Sequence, residues 1–199
     1  MSKGPKYEFT GETKVVSGIT LKRIRAVLPF GMTEVGALGG WIESEANLSF
    51  YGNAWVYGDA LVYGNARVSG NAMIYGNAMV YENALVYGNA WVYGDALVYG
   101  NALVYGNARV SGNACVFGNA WVSGHVVVAT RSDGYTFTLA LDRDNVPHVL
   151  AGCRYFDFPQ ARKHWKWRAG TPLGAETDSI LDHFERMVVS GALSRARGE

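Results

Sequence analysis

Residues 51–62 read YGNAWVYGDALV, and the same twelve residues return at 87–98. Around them a six-residue unit runs unbroken from Tyr51 to Val128, thirteen hexads close to Tyr-Gly-Asn-Ala-x-Val. No helical period accommodates a Gly-Asn pair in every six residues. A short fixed period instead means a solenoid, whose units bury their apolar side against one another. Side chains alternate along a strand, so in Ala-x-Val the Ala and Val face inward and x faces outward. The next residue, usually Tyr, faces outward again. Gly-Asn then turns a corner, because both residues tolerate left-handed backbone angles. Three hexads close a triangular coil of 18 residues, which brings the 51–62 block back after two coils. Adjacent coils stack about 4.8 Å apart.

Composition agrees. The chain has 199 residues with 25 Gly but only 5 Pro, which fits a glycine in every turn and excludes collagen. Lys+Arg is 18 and Asp+Glu 17, too balanced for the basic surface that drives non-specific DNA binding. Sequence-specific nucleic acid is not an expected partner. No run of about 18 apolar residues occurs and the start, MSKGPKYEFTGETK, has no apolar signal core, so the expectation is a protein without membrane contact. Cys115 and Cys153 lack zinc-site or disulfide spacing, and a reducing cytoplasm is the default.

The pattern V-Y-G-N-A-x resembles the hexapeptide repeat of left-handed parallel β-helices. There an aliphatic residue begins each hexad and a small one sits four later, as Val56 and Ala60 do. The resemblance implies a mainly β, left-handed parallel β-helix solenoid and a trimer. The runs KYEFTGETK, GITLKRIRAV and LGGWIE before the repeat, with AGCRYF, ARKHW and GTPLGAET after it, resemble a group of bacteriophage and prophage hexapeptide-repeat proteins. That implies a site of action in a bacterial host's cytoplasm. It supplies no catalytic residues.

Stacking predicts ladders 18 residues apart. Asn53, Asn71, Asn89 and Asn107 form one corner, ending at His125; Asp59, Asn77, Asp95 and Asn113 form the second; Asn65, Asn83, Asn101 and Asn119 form the third. These read as amide ladders that satisfy corner backbone groups. An acidic metal site at Asp59 and Asp95 is the alternative, but two coils, about 10 Å, separate them. The outward x residues form columns: Trp55, Met73, Trp91, Arg109; Leu61, Met79, Leu97, Cys115; Arg67, Leu85, Leu103, Trp121. Apolar columns beside tyrosines predict burial against other subunits, a homotrimer by the resemblance. Terminal segments folding back over the faces would explain them as well.

The ends read as caps. Residues 1–40 form an N-terminal β cap, with strands YEFTGETKVV and ITLKRIRAVL joined at Ser17-Gly18. The solenoid spans 41–128, and 129–199 form a small α+β cap of a β-hairpin plus two helices. Its strands are YTFTLALD and VPHVLAGCRYF. Asp157 caps helix PQARKHWKWR with Gln160 completing a capping box, GTPLG breaks that helix, and a last helix starts at Thr177 or Asp178.

Chemistry is scarce in the coils. His125 is their one histidine, a capping residue or, on the resemblance to acyltransferases of this fold, a general base. His148, His164 and His183 are scattered outside, so no metal and no cofactor is expected. The C-terminal segment holds ten of the 18 basic residues. Arg154, His164, Trp165, Trp167, Arg168 and Thr171 form the candidate ligand site, since arginine binds phosphate bidentately and Trp or His stacks on a base. At i, i+4 spacing His164 and Arg168 share a face of that helix. Three functions fit: a non-enzymatic protein sequestering a small anionic, nucleotide-like ligand; an acyltransferase using His125; or a structural, protein-interaction module. Fold alone does not choose among them.

Overall fold

The computed structural model describes residues 4–124, 126–142 and 144–191. It is a mainly β solenoid with about 18 residues per coil. A hairpin, β1 (Tyr7–Val16) and β2 (Ile19–Ala26), precedes β3 (Leu38–Ile42). Then come two-residue strands β4 to β15 on three faces. One carries Trp55–Val56, Met73–Ile74, Trp91–Val92 and Arg109–Val110. The second carries Leu61–Val62, Met79–Val80, Leu97–Val98 and Cys115–Val116. The third carries Arg67–Val68, Leu85–Val86, Leu103–Val104 and Trp121–Val122. Pairing is parallel and in the register the hexads predict. Every inward Ala and every inward Val or Ile from Ala54 to Val122 is buried.

The corners follow the chemistry of Gly-Asn. Each corner glycine from Gly52 to Gly118 has positive φ, and Glu82, the one residue that replaces a glycine there, has φ 58. Its carboxylate accepts from the Gly100 N–H at 2.8 Å. Amide ladders run along two corners: Asn53 to Asn71 to Asn89 to Asn107, and Asn65 to Asn83 to Asn101 to Asn119, each Nδ2 donating to the next Oδ1. On the remaining corner Asn77 donates to Asp95.

Tyrosines stack beside them, with ring centroids 5.1 Å apart for Tyr63–Tyr81, 4.9 Å for Tyr81–Tyr99 and 5.0 Å for Tyr99–Phe117. Burial raises the hydroxyl pKa of Tyr63, Tyr81 and Tyr99. An acid whose folded pKa is raised stabilises the fold fully below its unfolded value and loses that contribution as pH rises through the folded one. The urea midpoint should therefore fall once pH exceeds about 10, and Tyr81→Phe should make that fall shallower. An unchanged slope in the variant would contradict the assignment.

Coil direction dictates the caps. Each outward residue's N–H donates toward the following coil, as in Trp55 N to Ala72 O, so the N-terminal end exposes carbonyls and the C-terminal end N–H groups. Donor side chains close the first end: Lys6 Nζ bonds Gly52 O and Ala54 O, Tyr7 Oη bonds Leu48 O, and Asn47 Nδ2 bonds Gly64 O and Ala66 O. At the other end the Cys115 N–H donates to Thr138 Oγ1, an acceptor, at 3.1 Å. The groups that close the two ends are thus of complementary type, donors at the first and an acceptor at the last.

After the coils, β16 (Val127–Thr130), β17 (Thr136–Leu141), β18 (Pro147–Ala151) and β19 (Arg154–Phe156) form antiparallel pairs, and β17 bridges to β15 through Trp121 and Leu141. This is four strands where the sequence suggested two: VPHVLAGCRYF itself turns at Gly152, φ 60, and Val127–Thr130, at the end of the hexad run, pairs with β17 as a further strand. Helix α1 (Phe158–Trp165) has the expected Asp157–Gln160 capping box. Helix α2 (Pro172–Val189) starts at Pro172, not at Thr177 or Asp178. GTPLG is a helix start: Thr171 is the N-cap, accepting from the Gly174 N–H, and Pro172 occupies the first turn, where its missing N–H costs nothing. No helix among the described residues is long and apolar enough to cross a membrane.

Candidate functional site

The outward columns divide into covered and open parts. Trp55 is fully buried within the chain, edge-on to Tyr7 and Phe30. Leu61 is buried in a cluster with Leu21 and Tyr63, packed by Val16 and Ile19 of the hairpin. These two positions are corrections to the expected subunit interface, since the N-terminal segment already covers them. Met73, Trp91, Met79, Leu97 and Leu103 are half-buried, and Leu85 is exposed beside Tyr87. Arg109 lies over the Trp91 ring at 4.7 Å.

In the C-terminal cap the sheet buries Phe137, Leu139, Val149 and Ala151 against Ala161, Trp165, Leu181 and Phe184. Trp165 is therefore a core residue, 7% exposed, packed on Phe137, Phe156 and His164. It is not free to stack on a ligand. His164 tilts over Phe156 at 5.0 Å. The α-helix ends at Trp165 and tightens into a 3-10 turn at Lys166–Arg168, so His164 and Arg168 do not share an α-helical face. Thr171 is occupied as the α2 cap, bonded to Gly174 N and Arg168 O.

What remains is a cationic cluster around Tyr135. Arg131 is buried, gripping Asp133 with two nitrogens and Thr177 Oγ1 with a third. That hydrogen bonding holds the Asp133 carboxyl down at about 2, with Arg168 contributing. Ser132 donates to Glu176 from both its N–H and its hydroxyl. This network fastens the first turns of α2 to the turn between β16 and β17. Arg131 lies over the Tyr135 ring at 5.1 Å; burial and Cys153 raise the Tyr135 pKa, while the charges of Arg131, Arg154 and Arg168 act to lower it. Among the described residues neither Arg154 nor Arg168 forms a salt bridge. Arg168 stacks over Trp167 at 4.3 Å, its Nε is buried without a hydrogen-bond partner among the described residues, and Trp167 is 70% exposed. A Cβ at Gly174 would lie 2.1 Å from Arg168 O, so the Arg168 backbone sits hard against α2.

Sequence reasoning brought Arg154, Trp167 and Arg168 into view but missed Arg131, Asp133 and Tyr135. Their signal was RSDGY, a turn placed directly after the repeat stops. It also left His148 aside, whose Nε2 bonds Asp142 at 2.9 Å and whose ring stacks on Tyr155 at 4.3 Å. His125, the candidate base, lies outside the described residues. No cluster of three or more His, Cys, Asp or Glu suited to a metal occurs among the described residues.

The YdcK beta solenoid repeat matches residues 54–70, 60–74, 66–82, 72–88, 90–106, 96–110 and 108–124. No curated protein matches the chain. The matched stretches fall on the coils, with the hairpin and the C-terminal cap outside them. The repeat that builds the coils of this chain is thus similar to the YdcK beta solenoid repeat.

Proposed function

We propose that this chain is a non-enzymatic, self-associating binding protein whose C-terminal cap holds a small nucleotide-like anion, in keeping with its resemblance to phage hexapeptide-repeat proteins that act inside a bacterial host. The observation that carries the reading is Arg168: a guanidinium stacked on the exposed Trp167 ring, with a buried Nε that has no hydrogen-bond partner among the described residues. A guanidinium presents paired N–H donors to phosphate, and the adjoining indole offers a face for a base. Arg154 adds a second cation that pairs with no carboxylate among the described residues, and Arg131 and Asp133 hold the turn on which Tyr135 sits. The half-buried Met73, Trp91 and Leu103 with exposed Leu85 are the surface for association with other copies.

Calorimetry with a panel of mono-, di- and cyclic nucleotides tests it. Stoichiometric binding is expected, with the nucleotide recovered unchanged. Arg168→Ala and Arg154→Ala should each weaken binding by about tenfold or more. No heat with any member of the panel, or conversion of the nucleotide, would overturn it. Acyl transfer has only His125 as its candidate base, and unaltered acyl-coenzyme A turnover in His125→Ala would remove it.

A further inference from the structure

At the opposite end of the molecule a cavity of about 530 Å³ opens beside the first coil, lined by Lys6, Leu28, Pro29, Phe30, Phe50 and Tyr51 among others. That volume is ordinary for a small-molecule site. Its walls are apolar and aromatic: Phe50 stacks on Tyr7 at 4.8 Å, and Phe30 abuts Trp55 at 5.2 Å. Tyr51 stands at the mouth, 81% exposed.

The polar element is Lys6. It is 4% exposed, and its ammonium makes two hydrogen bonds, both to neutral carbonyls, Gly52 O at 3.1 Å and Ala54 O at 2.7 Å. The Phe30 ring lies 4.7 Å from the ammonium. Among the described residues no carboxylate pairs with it. An ammonium has three N–H donors, so one remains beyond the two bonds. Burial pulls the Lys6 pKa down to about 8, the mark of a charge held without a counter-ion. Closing the carbonyl rim needs donors, but it does not need a charge: Asn47 closes its carbonyl pair with a neutral amide. The cation is thus in excess of the capping role.

We propose that this cavity binds a small amphipathic monoanion, a carboxylate on a flat apolar body, with Lys6 as its charge partner and Phe30, Phe50 and Tyr51 as its walls. One remaining donor on a single cation suits a carboxylate better than a phosphate dianion, which calls for several donors. The site is independent of the arginine cluster in the C-terminal cap.

The test is calorimetric titration of the full chain with 4-phenylbutyrate and, separately, with its neutral counterpart 4-phenylbutan-1-ol. The acid should bind saturably and about tenfold or more tighter than the alcohol. Lys6→Met should erase that preference. Because Lys6 also closes the rim, Tyr51→Ala serves as the second variant: it removes an exposed wall, and binding of both compounds should weaken. Arg168→Ala should leave the titration unchanged. Equal affinity for acid and alcohol, no saturable binding, or indifference to both cavity variants would each overturn the proposal.

Discussion

Gly88→Ala is expected to destabilise the protein by about 4 kcal/mol, whereas Gly58→Ala, at an equivalent corner of the repeat, should cost only about 1 kcal/mol. Both glycines hold left-handed angles, φ 74 and φ 58. The difference is stacking. A Cβ at Gly88 would lie 2.8 Å from Gly106 N and 3.0 Å from Gly106 O, backbone atoms of the next coil, whose carbonyl is held by the Asn89 N–H at 2.7 Å. A Cβ at Gly58 meets nothing within 4 Å. Glu82 shows that the angle alone is affordable at φ 58, since its carboxylate recovers a hydrogen bond from Gly100 N–H. Urea unfolding of the two variants is the measurement. Equal losses would mean that backbone strain, and not the closeness of the coils, selects glycine at these corners.

The second large effect separates two tryptophans that sequence placed together. Trp165→Ala should cost about 4 kcal/mol, the range for truncating a buried aromatic. It is 7% exposed and touches Phe137, Phe156 and Tyr135, so its loss hollows the cap. Trp167→Ala should stay within about 0.5 kcal/mol, as surface changes do. Trp167 is 70% exposed, and its role is to stack under Arg168. Nucleotide binding should therefore fall in Trp167→Ala while the unfolding midpoint holds. A large stability loss in Trp167→Ala, or none in Trp165→Ala, would contradict this division.

The coils were legible because a six-residue period leaves one solution for each side chain. The strand register, the outward columns and the glycine corners all follow from Ala-x-Val and Gly-Asn. The caps were less legible, because their contacts join residues far apart in sequence. Nothing local marks Lys6 as the donor for Ala54 O, or Arg131 as the partner of Thr177. The start of α2 was misread for a different reason. Pro and Gly in GTPLG read as breakers, yet Thr171-Pro172 is also the chemistry of a helix N-terminus. Trp55 and Leu61 were placed outward correctly, but whether an outward residue meets a partner or the chain's own terminus depends on tertiary folding. The candidate site fared in between. Its arginines stood out as a charge cluster, while the tyrosine they surround did not.

The most direct measurement is native mass spectrometry of protein purified from the cells that make it, because subunit number and retained ligand are read together. The account predicts a closed homo-oligomer, three subunits on the resemblance to hexapeptide-repeat proteins, with excess mass equal to a small nucleotide-like anion at each C-terminal cap. That excess should be missing in Arg168→Ala. A single chain of bare mass that takes up no added nucleotide would contradict it.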